Sequence, residues 1–277
     1  MLILRFFLVV FAVAMASGVQ AQVLINDTFG NGVLGTNTGG TGNGFNTGGS
    51  QTVPTESGGV VNFTAGGYSV QQIASNAADA FNPFQSTPTA LSVSFGTFGY
   101  DSGFDRQWVG FVATGSSSRY YFPSSSYSAA QGLYLSFAYN NAGEDGKFGN
   151  ATSHRGNLIA VSNTGTMTTL ASWDWATAPT DGFAASLTTT GSTYALAFTG
   201  ATVSSFATGS SAGALSGLGT LSGNFDAFVF GQVITGTNGF TLDSLSVSAI
   251  PEPSTYAAIA GVVVLGGAWL RRRRRAA

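Results

Sequence analysis

Short segments in which apolar and polar residues alternate constrain the fold of this chain more than any other feature. Leu91, Val93 and Phe95 are separated by single small residues, and the same period of two recurs along the chain. Such strand-like segments lie at residues 59–64, 67–73, 91–98, 108–113, 133–139, 193–199, 227–231 and 240–248. Successive side chains of a strand point to opposite faces, so the period predicts strands with one buried face. No segment between residues 22 and 250 carries a sustained helical stripe.

Turns rich in glycine separate these segments and suit an antiparallel arrangement. Gly accounts for 39 of 277 residues, twice the usual share of roughly 7%. The pattern predicts an all-β fold for residues 22–250: an antiparallel β-sandwich with its apolar faces packed together and its polar faces outward. Residues 65–66 predict a hairpin between the first two segments, and the Gly-, Asn- and Thr-rich stretch 30–50 predicts a long loop.

Charge is scarce in this chain and acidic where it occurs. Charged residues make up 8% of the chain, against about 25% in a typical soluble protein. Four basic and 11 acidic residues lie between residues 22 and 250, which leaves this span at −7. An acidic surface repels phosphates, so the sequence predicts no nucleic-acid partner. Cysteine is absent, which excludes disulfides, thiolate metal sites and a Cys nucleophile.

The N-terminus has the three parts of an export signal. Arg5 supplies positive charge, and residues 6–15 form an apolar run. Val19 and Ala21 place small residues at the −3 and −1 positions of a cleavage site. We predict that residues 1–21 are a helical signal peptide, cleaved after Ala21. The alternative is an uncleaved anchor, for which the run is short, since a spanning helix needs about 20 residues.

The C-terminus combines prolines, a short apolar stretch and a run of arginines. Pro251 and Pro253 lack an N–H donor and therefore end the last strand. The apolar stretch 256–270 predicts a short transmembrane helix, about 22 Å long against a hydrocarbon core of roughly 30 Å. Local thinning and snorkelling arginines compensate for such a mismatch. By the positive-inside rule the arginines stay in the cytoplasm, so the body lies outside.

The order of these parts resembles the PEP-CTERM sorting signal over residues 251–277. The motif residues are Pro251, Glu252, Pro253 and Ser254, and the membrane-stop charges are Arg271, Arg272, Arg273, Arg274 and Arg275. The resemblance implies a Gram-negative bacterium and an exported substrate of exosortase, a membrane enzyme thought to cut near the motif. It also implies a precursor tethered transiently to the inner membrane, and a final location at the cell surface or in the extracellular matrix. An ordinary tail anchor is the alternative.

Two segments of the body resemble the first and last strands of a concanavalin-like or laminin-G-like jelly roll. They are residues 25–29, which include Asp27, and residues 240–248, which include Asp243. In such folds these strands are neighbours, so the resemblance brings the two aspartates together. Carboxylate oxygens are ligands that Ca²⁺ prefers, which makes this pair a candidate structural Ca²⁺ site. The competing interpretation, which the sequence favours, is a pair of edge or turn aspartates.

Tryptophans supply the candidate sugar-binding surface. Trp173 and Trp175 flank Asp174 and share one face of a strand. Aromatic faces pack well on the apolar faces of pyranose rings, so this pair is a candidate platform for glycan stacking. Packing in the core is an equal alternative for these two residues, and it is the prediction for Trp108, which lies in an apolar run.

The body lacks the residue patterns of common catalytic sites. His154 is the only histidine, and no G-x-S-x-G elbow lies in a strand–turn–helix context. A retaining glycosidase needs two carboxylates about 5–5.5 Å apart, and the E-x-D-x-x-E pattern of laminarinase-like enzymes is absent. We therefore predict a non-catalytic protein that associates with exopolysaccharide or envelope glycans. The alternative is a jelly-roll carbohydrate-active enzyme with an unusual site at Asp174 or Glu144.

Overall fold

The computed structural model describes the strands of the body, the longest continuous part of which is residues 155–219. The described residues are 22–27, 40–41, 55–62, 68–75, 89–98, 106–113, 130–138, 155–219, 225, 227–233, 240–249, 265–267, 269 and 271–273. The predicted signal peptide 1–21 lies outside them. So does the predicted loop 30–50, apart from Gly40 and Thr41.

The described residues of the body form strands that we number in chain order. They are β1 (Gln22–Asp27), β2 (Gly40–Thr41), β3 (Thr55–Ser57), β4 (Val60–Asn62), β5 (Tyr68–Ser75), β6 (Thr89–Phe98), β7 (Arg106–Val112), β8 (Gly132–Ala138), β9 (Arg155–Val161), β10 (Met167–Thr177), β11 (Ala184–Thr190), β12 (Thr193–Thr199), β13 (Thr202–Thr208), β14 (Ala212–Ala214), β15 (Ala227–Val233) and β16 (Phe240–Ala249).

Two antiparallel sheets contain all of these strands. The first sheet has the order β14-β12-β11-β6-β16-β4-β3, and β1 also pairs with β16. The second sheet has the order β13-β10-β9-β8-β7-β15-β5-β2. The predicted antiparallel β-sandwich is therefore confirmed. The predicted hairpin at residues 65–66 is wrong, because β4 and β5 belong to different sheets and pair with other strands.

A cluster of aromatic rings joins the two sheets. Its centre is Phe95 of β6, which is 1% exposed. The rings nearest to Phe95 belong to Phe98, Phe137, Phe183 and Phe240, at centroid distances of 5.0–5.9 Å. Burying each such ring contributes about 1.5–3 kcal/mol. Because Phe137 comes from β8 of the second sheet, these contacts hold the sheets face to face.

The outer faces of the two sheets differ in their exposure. On the first sheet the period of two works as predicted: Leu91 and Val93 are buried, and Ser92 between them is exposed. On the second sheet, residues that alternate with the core are buried as well, such as Tyr134 and Ile159. The prediction that polar faces look outward is therefore wrong for β7, β8 and β9 of the second sheet, whose outer face is also withdrawn from water.

The described part of the C-terminal segment is helical and exposed. It comprises residues 265–267, 269 and 271–273, where Leu265 and Trp269 are 71% and 53% exposed. The guanidinium carbon of Arg273 lies 4.5 Å from the centre of the Trp269 ring, a cation–π contact. Nowhere in the described residues does a helix combine the length and the apolar character that a membrane crossing requires. The predicted transmembrane helix begins outside the described residues and stays a prediction.

Candidate functional site

Four side chains form a continuous row across the outer face of the second sheet. Trp108 lies opposite Ser136, Ser136 lies opposite Asn157, and Asn157 lies opposite Ser172 in the strand register. Directly opposed residues of antiparallel strands lie on one face, and neighbouring strands are about 4.8 Å apart, so the row spans about 14 Å. We call these four residues the polar row. Each comes from one of the adjacent strands β7, β8, β9 and β10.

The polar row faces away from the sandwich core. The residues that alternate with it, Val109, Leu135 and Leu158, belong to the core cluster, and Trp108 does not. All four members of the row are nonetheless buried, with relative exposures between 0% and 6%. The outer face therefore places a tryptophan, two hydroxyls and a carboxamide in a site withdrawn from water.

Two members of the polar row have unsatisfied polar atoms. Ser136 Oγ and both amide atoms of Asn157, Oδ1 and Nδ2, are buried and have no hydrogen-bond partner in the described part of the chain. Leaving a buried donor or acceptor without a partner costs about 1–3 kcal/mol. Other atoms of this kind, such as Trp173 Nε1 and Thr189 Oγ1, do not lie beside one another in the register, whereas Ser136 and Asn157 do. Native proteins rarely keep adjacent orphan groups, so this pair stands out among the described polar side chains.

An aromatic ring borders the polar row on one side. Tyr134 lies opposite Gly110 in the register, and a Cβ on Gly110 would come within 2.6 Å of the Tyr134 ring. The Tyr134 ring can therefore lie against position 110 only because Gly110 has no side chain. The Tyr134 hydroxyl donates a hydrogen bond of 2.8 Å to the Ala130 carbonyl, so its polar end is held in place. The row is thus bordered by a fixed aromatic surface.

Asp174 borders the polar row on the other side. It is half-buried, lies two residues beyond Ser172 on β10, and is opposite Arg155 in the register. Its main-chain carbonyl accepts a 3.0 Å hydrogen bond from Ser204 Oγ. Glu144, the other candidate catalytic carboxylate, lies outside the described residues.

Trp173 and Trp175 belong to the core, and the prediction of a stacking platform is wrong for both. Trp173 is 0% exposed and Trp175 is 8% exposed. The centroids of their rings are 5.7 Å apart, and each lies 5.0 Å from the ring centroid of Phe198 of the first sheet. The two tryptophans share one strand face, as expected, but that face meets the opposite sheet. No ring face is left open to a sugar.

Gly156 makes the position of Trp173 possible. The two residues are opposite each other on β9 and β10. A Cβ on Gly156 would lie 2.2 Å from Cε2 of the indole, closer than any real contact. The absence of a side chain at position 156 therefore admits the indole ring into the core.

Asp27 and Asp243 lie on neighbouring strands, as the jelly-roll resemblance implied. β1 pairs with β16, and Asp27 is opposite Leu245, two residues from Asp243. Asp243 is exposed, and its Oδ2 accepts a hydrogen bond of 3.2 Å from Ser94 Oγ. Ca²⁺ takes six to eight oxygen ligands. Over the ranges that the structure describes, no three His, Cys, Asp or Glu residues form a metal-binding group. The Ca²⁺ site stays a prediction.

Most of the predicted sorting residues lie outside the described residues. These are Pro251, Glu252, Pro253, Ser254, Arg274 and Arg275. Arg271, Arg272 and Arg273 are helical and exposed, which suits charged residues that stay in water.

A second surface feature lies at the edge of the first sheet. A cleft of about 380 Å³ between β11, β12 and β14 is lined by Thr188, Thr190, Thr193 and Tyr194, among others. Burial raises the pKa of the Tyr194 hydroxyl. The hydroxyl lies 3.1 Å and 3.2 Å from the carbonyl oxygens of Leu170 and Ser210, so it connects the two sheets. The buried end of this cleft is thus already satisfied, in contrast to the polar row.

Comparisons with known proteins identify the fold. No protein-family model matches the chain, and no curated protein is similar to it. Among solved structures, it is similar to the CBM2 module of an evolved Dit protein of Lactobacillus casei BL23 phage J-1. The identity is 10% and the TM-score 0.50, over 84% of this chain and 97% of the module.

Two further solved structures have lower scores. One is the potassium-bound carbohydrate recognition domain of Emp46p, with 10% identity and a TM-score of 0.48 over 70% of this chain and 84% of that one. The other is a Bacillus subtilis protein of unknown function with a galectin-like fold, with 9% identity and a TM-score of 0.45 over 83% and 98%. The body of this chain is a concanavalin-like β-sandwich, the fold class that its sequence predicted.

Sequence reasoning missed the polar row. Ser136 lies inside an apolar segment, and Asn157 directly precedes the apolar run at 158–161. A polar residue inside a continuous apolar run was the available signal, and it existed for Ser136 only. Their alignment across strands required the register.

Proposed function

We propose that this protein is exported, sorted to the cell surface or matrix, and associates with glycans without catalysing a reaction. The sandwich fold and the acidic, weakly charged body carry the glycan part of the proposal, and the polar row supplies candidate polar groups. Sugars present hydroxyls that both donate and accept hydrogen bonds, and the unsatisfied Ser136 hydroxyl and Asn157 carboxamide are their chemical complement. Ligand sites of this kind combine apolar and aromatic walls with a few placed polar groups, as Trp108 and Tyr134 supply here.

The fold supports the same proposal in a general way. The protein of phage J-1 that shares the fold is a CBM2 module. Glycan association is thus a known use of this architecture, and the site on the second sheet provides the specific reason to expect it here.

Co-sedimentation of the full chain with the producer's own exopolysaccharide, together with a glycan array, tests the binding. We expect retention of the wild-type chain, loss of retention for Asn157→Ala, and no change for the matched control Ser92→Ala, whose side chain is exposed on the first sheet. The assay is run with added Ca²⁺ and with a chelator, which also tests the predicted site at Asp27 and Asp243. Absence of retention in every condition would overturn the glycan proposal.

The sorting part rests on the order of the proline motif, apolar stretch and arginine run. The exposed Leu265 and Trp269 support it, because they lie one helical turn apart and leave an apolar stripe uncovered next to the arginines. Deleting residues 251–277 should release the protein to the periplasm or medium, measured by cell fractionation. A milder variant, Pro251→Ala with Pro253→Ala, should retain the precursor in the membrane. A truncated protein that localises like the wild type would contradict the proposal.

The non-catalytic part rests on the missing catalytic patterns. The structure describes one carboxylate beside the polar row, Asp174, and a retaining glycosidase needs a second one about 5–5.5 Å away. The rival proposal is a carbohydrate-active enzyme that uses Asp174 or Glu144. Hydrolysis of any member of a broad polysaccharide panel, abolished by Asp174→Asn or Glu144→Gln, would establish the rival.

A further inference from the structure

We infer that two copies of this chain associate through one side of the sandwich, which we call the open flank. It consists of the edge strands β13 and β14 and the half-buried apolar side chains beside them. Such an association involves no glycan and goes beyond the proposed function. The core is least covered at this side, the strands that form it are unprotected edges, and the segment that contains them has no charge.

The hydrophobic core is incompletely covered at the open flank. Four hydrophobic side chains among the described residues pack against the buried core and are themselves only half-buried. All four come from one short stretch of the chain, and they are Phe198, Ala201, Val203 and Phe206. The ring centroids of Phe198 and Phe206 lie 5.0 Å and 6.0 Å from that of Trp173, so the flank is continuous with the core. Apolar surface that stays half in water gains free energy when a partner covers it.

Two edge strands border these side chains. Within the described residues, β13 ends the second sheet and pairs with β10 alone, and β14 ends the first sheet and pairs with β12 alone. Short connections join β12 to β13 and β13 to β14, so both edges lie at the same side of the sandwich. Most residues of the two strands are exposed. Charged residues or prolines commonly shield the edge strands of monomeric proteins, and neither strand contains one.

Bulges determine how the open flank makes contact. The register of β13 with β10 shifts at three places. Bulges disturb the regular row of backbone groups to which a further strand would bond. Val203 and Phe206 lie opposite Trp175 and Trp173 in this register, which places them on the core side of β13. We therefore expect the half-buried side chains, rather than a continuous ladder of backbone hydrogen bonds, to form the contact.

The distribution of charge selects a second copy of this chain as the partner. Residues 182–225 contain β11 to β14 and have no Asp, Glu, Lys, Arg or His. The body as a whole, residues 22–250, has a net charge of −7, so two copies repel each other except where neither presents a charge. A basic partner would instead be drawn to the acidic remainder of the body. Contact between the same flank of two copies brings neutral surfaces together and closes as a two-fold dimer.

Sedimentation velocity of the full chain in a neutral detergent tests the association. We expect a reversible equilibrium between monomer and dimer. Ala207→Asp adds a carboxylate at an exposed position of β13 in both copies, so the dissociation constant should rise at least about tenfold. Ser92→Asp, at an exposed position of a central strand of the first sheet, should leave it unchanged. Raising the salt from about 50 mM to about 500 mM should strengthen the dimer, because salt screens the repulsion between the acidic bodies.

The absence of cysteine from the chain allows a direct test of the contact. Ser205→Cys puts a single thiol at an exposed position of β13, and a short bifunctional thiol reagent should link two copies of this variant. Ser92→Cys has its thiol on the outer face of the first sheet and should stay unlinked under the same treatment. This pair of variants keeps the inference testable if Ala207→Asp fails to fold.

Three results would overturn the inference. The first is a chain that stays monomeric up to its highest soluble concentration, whatever other partner the flank binds. The second is a dimer that forms equally well with Ala207→Asp and is not linked through Ser205→Cys, because its contact then lies elsewhere, for instance in the apolar tail. The third is a dimer that weakens at high salt, because ion pairs then hold it. None of these results depends on glycan retention, so the proposed function is tested separately.

Discussion

The outer faces of the two sheets are built from different side chains and meet solvent differently. On the first sheet, small residues such as Ser92, Ser244 and Ser246 are exposed or half-buried. On the second sheet, the corresponding face carries Trp108, Tyr134 and larger aliphatic residues, and it is buried. The described first sheet thus has one face in contact with the core, whereas the central strands β7, β8 and β9 of the second sheet are buried on both faces.

This difference locates the candidate site. A polar residue on the first sheet's outer face can bond to water and needs no further explanation. The same residue on the second sheet loses water and must find another partner, which Ser136 and Asn157 lack in the described residues. A hydroxyl or amide on the buried outer face of the second sheet therefore indicates a candidate site, whereas the same group on the exposed face of the first sheet does not.

The largest expected effect comes from the inner face of the second sheet. Trp173→Ala should lower the free energy of unfolding by about 3–5 kcal/mol, because it leaves a large cavity between the sheets. Urea unfolding followed by circular dichroism measures the loss. Trp269→Ala, at an exposed tryptophan of the tail, should change stability by less than about 0.5 kcal/mol. A Trp173→Ala protein that is as stable as the wild type but has lost glycan binding would instead support the stacking platform that the sequence predicted.

The outer face of the second sheet should be nearly as sensitive. Ile159 is 1% exposed and points away from the core cluster. Ile159→Ala should cost about 2–5 kcal/mol, in the range of other buried truncations. Ser92→Ala on the first sheet's outer face should stay within about 0.5 kcal/mol. Urea unfolding measures both free energies. Equal and small losses at the two positions would contradict the inferred difference in burial between the two outer faces.

Gly156→Ala tests the close approach of β9 and β10. The added methyl group would meet the Trp173 indole, and we expect a loss of about 1–3 kcal/mol. In a Trp173→Ala background the methyl group has room, so the same substitution should cost much less. A double-mutant cycle of unfolding free energies measures this coupling. Additive costs would contradict the assigned contact.

Among the buried positions, Tyr194→Phe should have the smallest effect, about 0.5–1.5 kcal/mol, since it removes one hydroxyl that bonds to carbonyls. The folded state raises the pKa of this hydroxyl, so the folded protein holds the proton more tightly than the unfolded chain. The stabilisation is complete below the unfolded pKa of 10.0 and is lost as pH rises through the folded pKa. As the pH rises above 10.0, the wild type should therefore lose more stability than Tyr194→Phe. Parallel pH profiles would contradict the assignment.

Sequence patterns predicted parts of both sheets. The segment 193–199 coincides with β12 and 91–98 lies within β6 of the first sheet, and 108–113 and 133–139 overlap β7 and β8 of the second. β9 and most of β10 were missed, and so was β11 of the first sheet, so the apolar runs were detected on both sheets but not every strand was. The hairpin at residues 65–66 failed for another reason: a short connection fits both a turn within one sheet and a crossing between sheets.

The candidate site, like the fold, could be predicted from the sequence only in part. The sequence predicted a glycan-binding role and selected Trp173 and Trp175 because aromatic residues on one strand face suit both a sugar platform and a core. Which of the two it is depends on what lies opposite that face, and here it is the first sheet. Ser136 and Asn157 are 21 residues apart and meet only through the strand register.

Alternation, turns and composition are local properties, so the chain's sequence was sufficient to predict the antiparallel β-sandwich, and export and sorting signals at its two ends stay predictions. The pairing of β1 with β16, the burial of both tryptophans and the polar row depend on contacts between residues far apart in the chain. Burial is a property of the packed sheets rather than of any one strand. The same polar side chain is therefore ordinary on the first sheet, and marks a candidate binding site on the second.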